Sequence, residues 1–273
     1  MPELPEVEVT RLGLLRKLKN KKCTGAVVRE TRFRKPLRAD LEELLFNQTL
    51  HDIKRRGKYL IWLFDRSALV THLGMSGSMR VYLQADVEVQ KHEHLDLIFG
   101  DMIMRYHDPR RFGFVAYFPD KESAFAMPEL QRLGVEPLSE EFNSNFFYEA
   151  LRQTSLPIKT SLIRGDIVVG VGNIYCSESL FLAGIHPKTK SNRISKKRVS
   201  ALTDAVKEVL QSSIELGGST LRDFVSAEGQ SGYYTLNNNV YGREGQPCKK
   251  CGTLIKKVQI DGRSTFYCPH CQH

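Results

Sequence analysis

Four cysteines near the C-terminus constrain this chain more than any other feature. Cys248-Lys-Lys-Cys251 and Cys268-Pro-His-Cys271 are separated by sixteen residues. Two Cys-x-x-Cys pairs at that spacing place four thiolates around one tetrahedral Zn2+ ion. Four thiolates leave no position for water, so the metal is structural and His270 is a bystander between two ligands. Disulfides are the alternative reading, disfavoured in a reducing compartment. Cys23 and Cys176 are isolated in sequence and read as ordinary core residues. The ribbon accounts for only the end of a 273-residue chain, whose 41% hydrophobic composition can bury a substantial core. That length fits one large or two modest domains.

The other end of the chain carries chemistry. Met1-Pro2-Glu3-Leu4-Pro5-Glu6-Val7-Glu8 would leave Pro2 as a terminal secondary amine beside carboxylates once Met1 is removed. An α-amino group titrates near pH ~7.7–8.0 and a lysine near ~10.4, so the terminus has very roughly a hundred-fold larger nucleophilic fraction at neutral pH. Such an amine suits Schiff-base chemistry. The octapeptide is also compatible with a frayed terminus that happens to contain two prolines.

A net charge of +9 points toward a polyanion, because clustered Lys and Arg release counterions from phosphates. Charge alone does not separate nucleic acid from an acidic membrane. No apolar run reaches the roughly 18 residues of a membrane span, and the N-terminus lacks the order of a signal peptide. The expectation is a soluble cytoplasmic protein with no membrane partner.

Val7, Leu12, Leu15 and Leu18 recur at helical spacing and predict a leading helix to about Asn20, docked by one apolar stripe. From Thr24 to about Phe118 the texture turns to short β-rich runs: Tyr59–Phe64, Ala68–Leu73, Met79–Leu83, Leu95–Phe99, Met102–Tyr106 and Phe114–Phe118. These predict a sandwich or barrel, with Gly100-Asp101 as a two-residue hairpin turn and Leu41–Leu45 as a short helix. After Met127–Glu140 the pattern becomes helical. Val199, Leu202, Val206, Leu210 and Ile214 form one face of a helix from near Ser195 to Gly217-Gly218. Gly170-Val-Gly172-Asn173 opens another helix, whose N-terminus is either a phosphate site or a plain junction.

Four stretches read as loops or turns. His72-Leu-Gly-Met75-Ser-Gly77 and Asp108-Pro-Arg110-Arg111-Phe112-Gly113 carry Met, Arg and Phe among turn residues; they are either core or protruding wedges that fill the gap left by an extruded nucleotide. Residues Ser226–Asn239, rich in Gly, Ser, Tyr and Asn, read as a mobile surface loop. Asp261-Gly262 puts Arg263 near a hairpin tip within phosphate reach, or on a plain solvated turn.

Taken in order, Pro2 to Glu8, Lys58, the two glycine-punctuated loops, Val169-Gly-Val-Gly-Asn-Ile-Tyr175, Gly184-Ile-His-Pro187, Tyr241-Gly-Arg243 and the four-cysteine ribbon make the chain resemble the bacterial formamidopyrimidine-DNA glycosylase family over essentially its whole length. The resemblance implies an α+β fold. Its parts are an N-terminal β-sandwich with a leading helix (1–130), a helix–two-turn–helix domain with a lesion-recognition loop (131–238) and a zinc finger (239–273). It implies a monomer acting on damaged double-stranded DNA in the bacterial cytoplasm, at the nucleoid, excising oxidised purines and cleaving the strand. In that reading Pro2 attacks C1′, Glu3 shuttles protons, and Lys58 and Arg263 complete the catalytic set. Glu6 supports the site among the DNA-binding residues. Asn173 holds a backbone phosphate, and Met75, Arg110 and Phe112 fill the void. Lys159 lies near the base pocket or backbone, with His92, Arg152 and Tyr241 as further DNA contacts. The alternatives are the related endonuclease VIII-like glycosylase for oxidised pyrimidines, disfavoured by Leu4 in place of glycine and the long Ser226–Asn239 loop, and a non-catalytic zinc-ribbon protein, which leaves the Pro-Glu terminus unexplained.

Overall fold

The computed structural model describes residues 2–83, 88–218 and 238–273. Helix α1 runs Leu4–Leu18, with Glu3 in extended conformation as its N-cap. The Glu6 carboxylate reaches back to accept the Glu3 backbone N–H at 2.8 Å, half of a capping box that satisfies donors the helix start leaves unpaired. Pro5 is tolerated in the first turn because its missing N–H has no helical partner there, and Arg16 and Lys17 complement the dipole at the other end. The docked stripe differs from the one the sequence predicts. Leu4, Val7, Thr10, Leu14 and Leu18 are buried, whereas Leu12 is 42% exposed and Leu15 only packs at the edge of the core. The steps through Leu4, Val7, Leu14 and Leu18 keep to 3.6 residues per turn, and Leu12 falls off that face.

Two four-stranded antiparallel sheets follow: β2-β3-β4-β8 and β1-β6-β7-β5. Their strands are β1 (Gly25–Val28), β2 (Leu50–Arg56), β3 (Tyr59–Phe64), β4 (Ala68–His72), β5 (Ser78–Leu83), β6 (Glu93–Phe99), β7 (Met102–His107) and β8 (Phe114–Phe118), with the short helix α2 (Leu41–Leu45) between β1 and β2. Inner residues of both sheets and of α1 share one core that includes Leu14, Leu18, Trp62, Met79, Leu97, Phe99 and Tyr106. Trp62 donates its indole N–H to Thr71 at 3.1 Å, so its one polar atom is satisfied. Gly100, with φ +66°, turns the chain between β6 and β7, a conformation side chains resist. Strands β1 and β2 are not among the β-rich runs read from the sequence. In β2 only Leu50 and Ile53 are buried, and charged residues fill the solvated positions. The helices α3 (Lys121–Phe125) and α4 (Pro128–Gln131) close this first compact unit, formed mainly by the chain up to Gln131.

The second unit takes residues 132–215 together with the C-terminal segment. Its elements are α5 (Ser144–Arg152), α6 (Ile158–Arg164), α7 (Asn173–Leu182), α8 (Lys196–Glu215), β9 (Lys256–Ile260) and β10 (Arg263–Tyr267). Helix α8 buries Val199, Leu202, Val206 and Leu210, with Ile214 at the margin of that face. The β9–β10 hairpin turns at Asp261-Gly262, both at positive φ, and a small core of Phe181, Val240, Cys248, Ile255 and Cys268 joins the ribbon to α7. Of the surface loop read at Ser226–Asn239, all but Asn238 and Asn239 lie outside the described residues.

The corrected docking face of α1 gives a stability test. Leu14 is fully buried, so Leu14→Ala should cost about 2–5 kcal/mol. Leu12→Ala, on the exposed side, should stay within about 0.5 kcal/mol. Denaturant midpoints of the two variants that shift equally would overturn the assigned face.

Candidate active site and nucleic-acid interface

In the first unit the described N-terminal residues are packed in place and do not form a tail. Pro2 is buried and Glu3 is 2% exposed, and with the Glu3 N–H bound to Glu6 the residue before it is held at a fixed place. Glu3 sits at the positive end of the α1 dipole, which favours a carboxylate. Met1, whose removal the nucleophile reading needs, lies outside the described residues. A second tie was not read from the sequence. Glu8 accepts from Arg11 Nη2 at 2.6 Å and from Arg55 Nε at 2.8 Å, while Arg55 Nη1 reaches the Gly57 carbonyl at 3.1 Å. Burial pushes the Glu8 carboxyl up, but the bonds from Arg11 and Arg55 outweigh it and hold it below its ordinary value. The helix that carries Pro2 is thereby fastened to the turn that carries Lys58, between β2 and β3.

Strand pairing brings His72 to the same place. Tyr59, next to Lys58, is the register partner of His72 across β3 and β4. Desolvation, aided by the charges of Lys58 and Arg34, lowers the His72 imidazole to about 4. The ring is therefore neutral at pH 7. Its Nδ1 accepts the Gly74 N–H at 3.0 Å, which leaves Nε2 as the protonated nitrogen.

Met75, Arg110 and Phe112 gather around one hollow of about 650 Å³, with Arg32, Arg34, His72 and Arg111 in its wall. Met75 is 37% and Phe112 51% exposed. The Arg110 guanidinium lies over the Phe112 ring, 5.6 Å from its centroid. Arg32 and Arg111 are both held by Glu30, whose carboxyl Arg32 pulls down to about 2. Behind the loop, His92 adopts a left-handed backbone with φ +70°, and its carbonyl accepts the Asp108 N–H at 3.1 Å.

In the second unit three of the sequence-selected residues meet at β10. Lys159, 1% exposed, donates to Thr265 Oγ1 at 2.5 Å and to the Ser264 carbonyl at 3.4 Å. Asn173, first residue of α7, donates to the same carbonyl at 2.9 Å, and its Oδ1 is buried with no hydrogen-bond partner among the described residues. Arg263 opens β10 and, with Lys159, Thr160, Arg164 and Asp261, lines a hollow of about 300 Å³. Arg152, at the end of α5, donates to the Asn192 carbonyl. Tyr241 is half-buried and edge-on to Phe266. Its N–H is one of four donors, with Asn239 N, Asn239 Nδ2 and Val240 N, that converge at 2.8–3.0 Å on the fully buried Glu178 of α7. Glu178 was not singled out in the sequence, where nothing marks a carboxylate whose partners lie far along the chain.

The four ribbon cysteines converge as their spacing predicts, with all sulfurs within 4.8 Å of one another. Cys248 and Cys271 sulfurs are 3.9 Å apart and those of Cys251 and Cys268 3.5 Å. Disulfides would need about 2.05 Å, whereas tetrahedral zinc with bonds of about 2.3 Å sets sulfurs roughly 3.8 Å apart. The donor set and spacing fit one structural zinc ion and exclude the disulfide alternative.

Comparison with known proteins agrees with this geometry in each part of the chain. Residues 1–115 match the formamidopyrimidine-DNA glycosylase N-terminal domain, 133–225 the H2TH domain of the same proteins, and 245–273 the zinc finger found in FPG and IleRS. Formamidopyrimidine-DNA glycosylases from Acidithiobacillus ferrooxidans and a Janthinobacterium species are each 48% identical to the chain, with both chains covered in full. A solved Lactococcus lactis Fpg in complex with DNA containing an abasic site superposes with a TM-score of 0.92 at 34% identity, covering all of both chains. A point mutant of that protein in complex with DNA containing Fapy-dG gives 0.92 at 35%, again over the full length of both. With three family models matched in order along the chain and relatives 48% identical over the full length of both chains, the protein belongs to the formamidopyrimidine-DNA glycosylase family.

Proposed function

We propose that the chain is a bifunctional DNA glycosylase and AP lyase of base excision repair that acts on oxidised purines in duplex DNA. The observation that carries this reading is the burial of Pro2 and Glu3 at a capped helix start, which gives a terminal amine a fixed position beside a carboxylate. With Met1 removed, the Pro2 amine attacks C1′ of the damaged nucleoside as the N-glycosidic bond breaks. Glu3 supplies the proton to the departing base and assists ring opening, which leaves an iminium between Pro2 and C1′. Loss of a C2′ proton then expels the 3′ phosphate by β-elimination, and a δ-elimination expels the 5′ phosphate. Lys58 serves this site from the β2–β3 turn, and Arg263 binds phosphate and assists the eliminations from the zinc-held hairpin. The N-terminus of α7 with Asn173 offers a second backbone contact of the kind helix dipoles give to phosphates. His92, Arg152 and Tyr241 complete the proposed DNA-facing set, while Glu6 and Lys159, both buried, support it from behind.

The exposed side chains of Met75, Arg110 and Phe112 are the ones that would fill the space an extruded nucleotide leaves behind. Arginine offers only donors. An orphaned cytosine presents O2 and N3 as adjacent acceptors, whereas adenine sets its N6 donor against the guanidinium. Arg110 in this position favours lesions opposite cytosine. The enzyme acts as a monomer in the bacterial cytoplasm; no helix among the described residues is long and apolar enough to cross a membrane.

Glu3→Gln keeps the shape of the side chain and removes its proton. Base excision should fall about 10²–10⁴-fold, while cleavage at a preformed abasic site falls less. Equal losses on both substrates would remove Glu3 from base departure. Zinc chelation, or Cys251→Ser, should abolish DNA binding by displacing Arg263 yet leave the sandwich folded, because metal binding is most of the folding energy of so small a ribbon. Normal cleavage by zinc-free protein would break that link.

A further inference from the structure

The two loops around the hollow are one body, and the group that joins them is Asp108. Its carboxylate is fully buried. Oδ1 accepts from Ser76 Oγ at 2.8 Å and from the Arg110 backbone N–H at 3.3 Å; Oδ2 accepts from the Gly113 N–H at 2.9 Å and from the Tyr106 hydroxyl at 3.2 Å. Its own backbone is held as well, its N–H by the His92 carbonyl and its carbonyl by His94 Nε2 at 2.9 Å. Ser76 follows Met75, and Arg110 and Gly113 bracket Phe112, so one side chain ties the segments that carry Met75, Arg110 and Phe112.

Backbone packing makes the same join. A Cβ on Gly74 would lie 2.3 Å from the Gly113 nitrogen, and one on Gly113 would lie 2.4 Å from the His72 carbonyl oxygen. Two backbones in direct contact and knotted by a buried carboxylate leave no room for either loop to shift alone. The pairing of a guanidinium with two acceptors on one base is sensitive to such shifts, since bidentate bonds need both donors in register.

We propose that Asp108 is a specificity-determining positioning residue: by locking the Met75 loop to the Arg110–Phe112 loop it holds the Arg110 guanidinium in register with the orphaned base and so sets the preference for the base opposite the lesion. This rests on the proposed reading of Arg110 as the group that faces that base. Asparagine at 108 cannot replace the carboxylate. Whichever oxygen becomes NH2, one backbone N–H, of Arg110 or of Gly113, then faces a donor and cannot turn away, whereas the Ser76 and Tyr106 hydroxyls can.

The test is single-turnover excision of one oxidised guanine opposite cytosine and opposite adenine, by wild type, Asp108→Asn, Ser76→Ala and Arg110→Ala. The readout is the ratio of the two rates, which a general loss of folded protein does not alter because it scales both equally. Asp108→Asn should reduce the cytosine-over-adenine ratio about ten-fold, the effect of one opposed buried group. Ser76→Ala, which removes one tie and no charge, should reduce it less and stands in if Asp108→Asn does not fold. A ratio lost in Arg110→Ala but kept in both Asp108→Asn and Ser76→Ala, or kept in Ser76→Ala alone where Asp108→Asn does not fold, overturns the positioning role. A ratio kept in Arg110→Ala as well overturns the reading of Arg110 on which it rests.

Discussion

The hydrogen bond from the Glu3 backbone N–H to the Glu6 carboxylate, made inside a buried helix start, is what holds the first residues of this chain in a fixed place, as the proposed nucleophile requires. A terminal amine is reactive wherever it is exposed, but it is selective only where it is held. The hold is built outward from that bond. Capping starts α1 at Leu4, the helix buries Leu14 and Leu18 in the sandwich core, and Glu8 fastens it to Arg55 and through it to the turn before Lys58. Local capping, core packing and a half-buried ion network thus act on the same few ångströms of backbone.

Buried carboxylates recur as the organisers of irregular chain. Loop backbone cannot satisfy its own N–H groups as helices and strands do, and an unpaired buried donor is costly. Asp108 gathers the donors of two loops in the first unit, and Glu178 gathers those of residues 239–241 in the second. A carboxylate suits this task because it accepts several bonds at once and donates none. Each such group fixes a segment that presents Arg, Phe or Tyr, so the rigidity of these loops comes from carboxylates placed behind them and not from the exposed side chains themselves.

Much of this was legible in the sequence, for physical reasons that differ by element. The cysteine spacing encodes a tetrahedron directly, and the sulfurs converge accordingly. Short runs of β-branched, aromatic and other apolar residues mark β3 to β8, so these strands could be placed closely. Strand β2 was hidden because its outward positions are charged, and the docked face of α1 was misjudged because Leu12 and Leu15 offer a rival stripe in a leucine-rich stretch. The motifs flanking Met75 and Phe112 announced unusual loops, yet not the bond of Asp108 to Ser76, which depends on how strands β5 and β7 pair. His72 likewise joins Lys58 only through the β3–β4 register. Local pattern reports what a residue does for its own element, while these ties are made across elements and leave no periodic trace.

The account stands or falls on Pro2 as the nucleophile. The most direct measurement is borohydride reduction of the protein on duplex DNA carrying an oxidised guanine, followed by mass mapping of the cross-linked peptide. The account predicts a covalent adduct on the terminal amine of Pro2, formed only by protein lacking Met1. An adduct on a lysine, or undiminished trapping by protein that retains Met1, would contradict it.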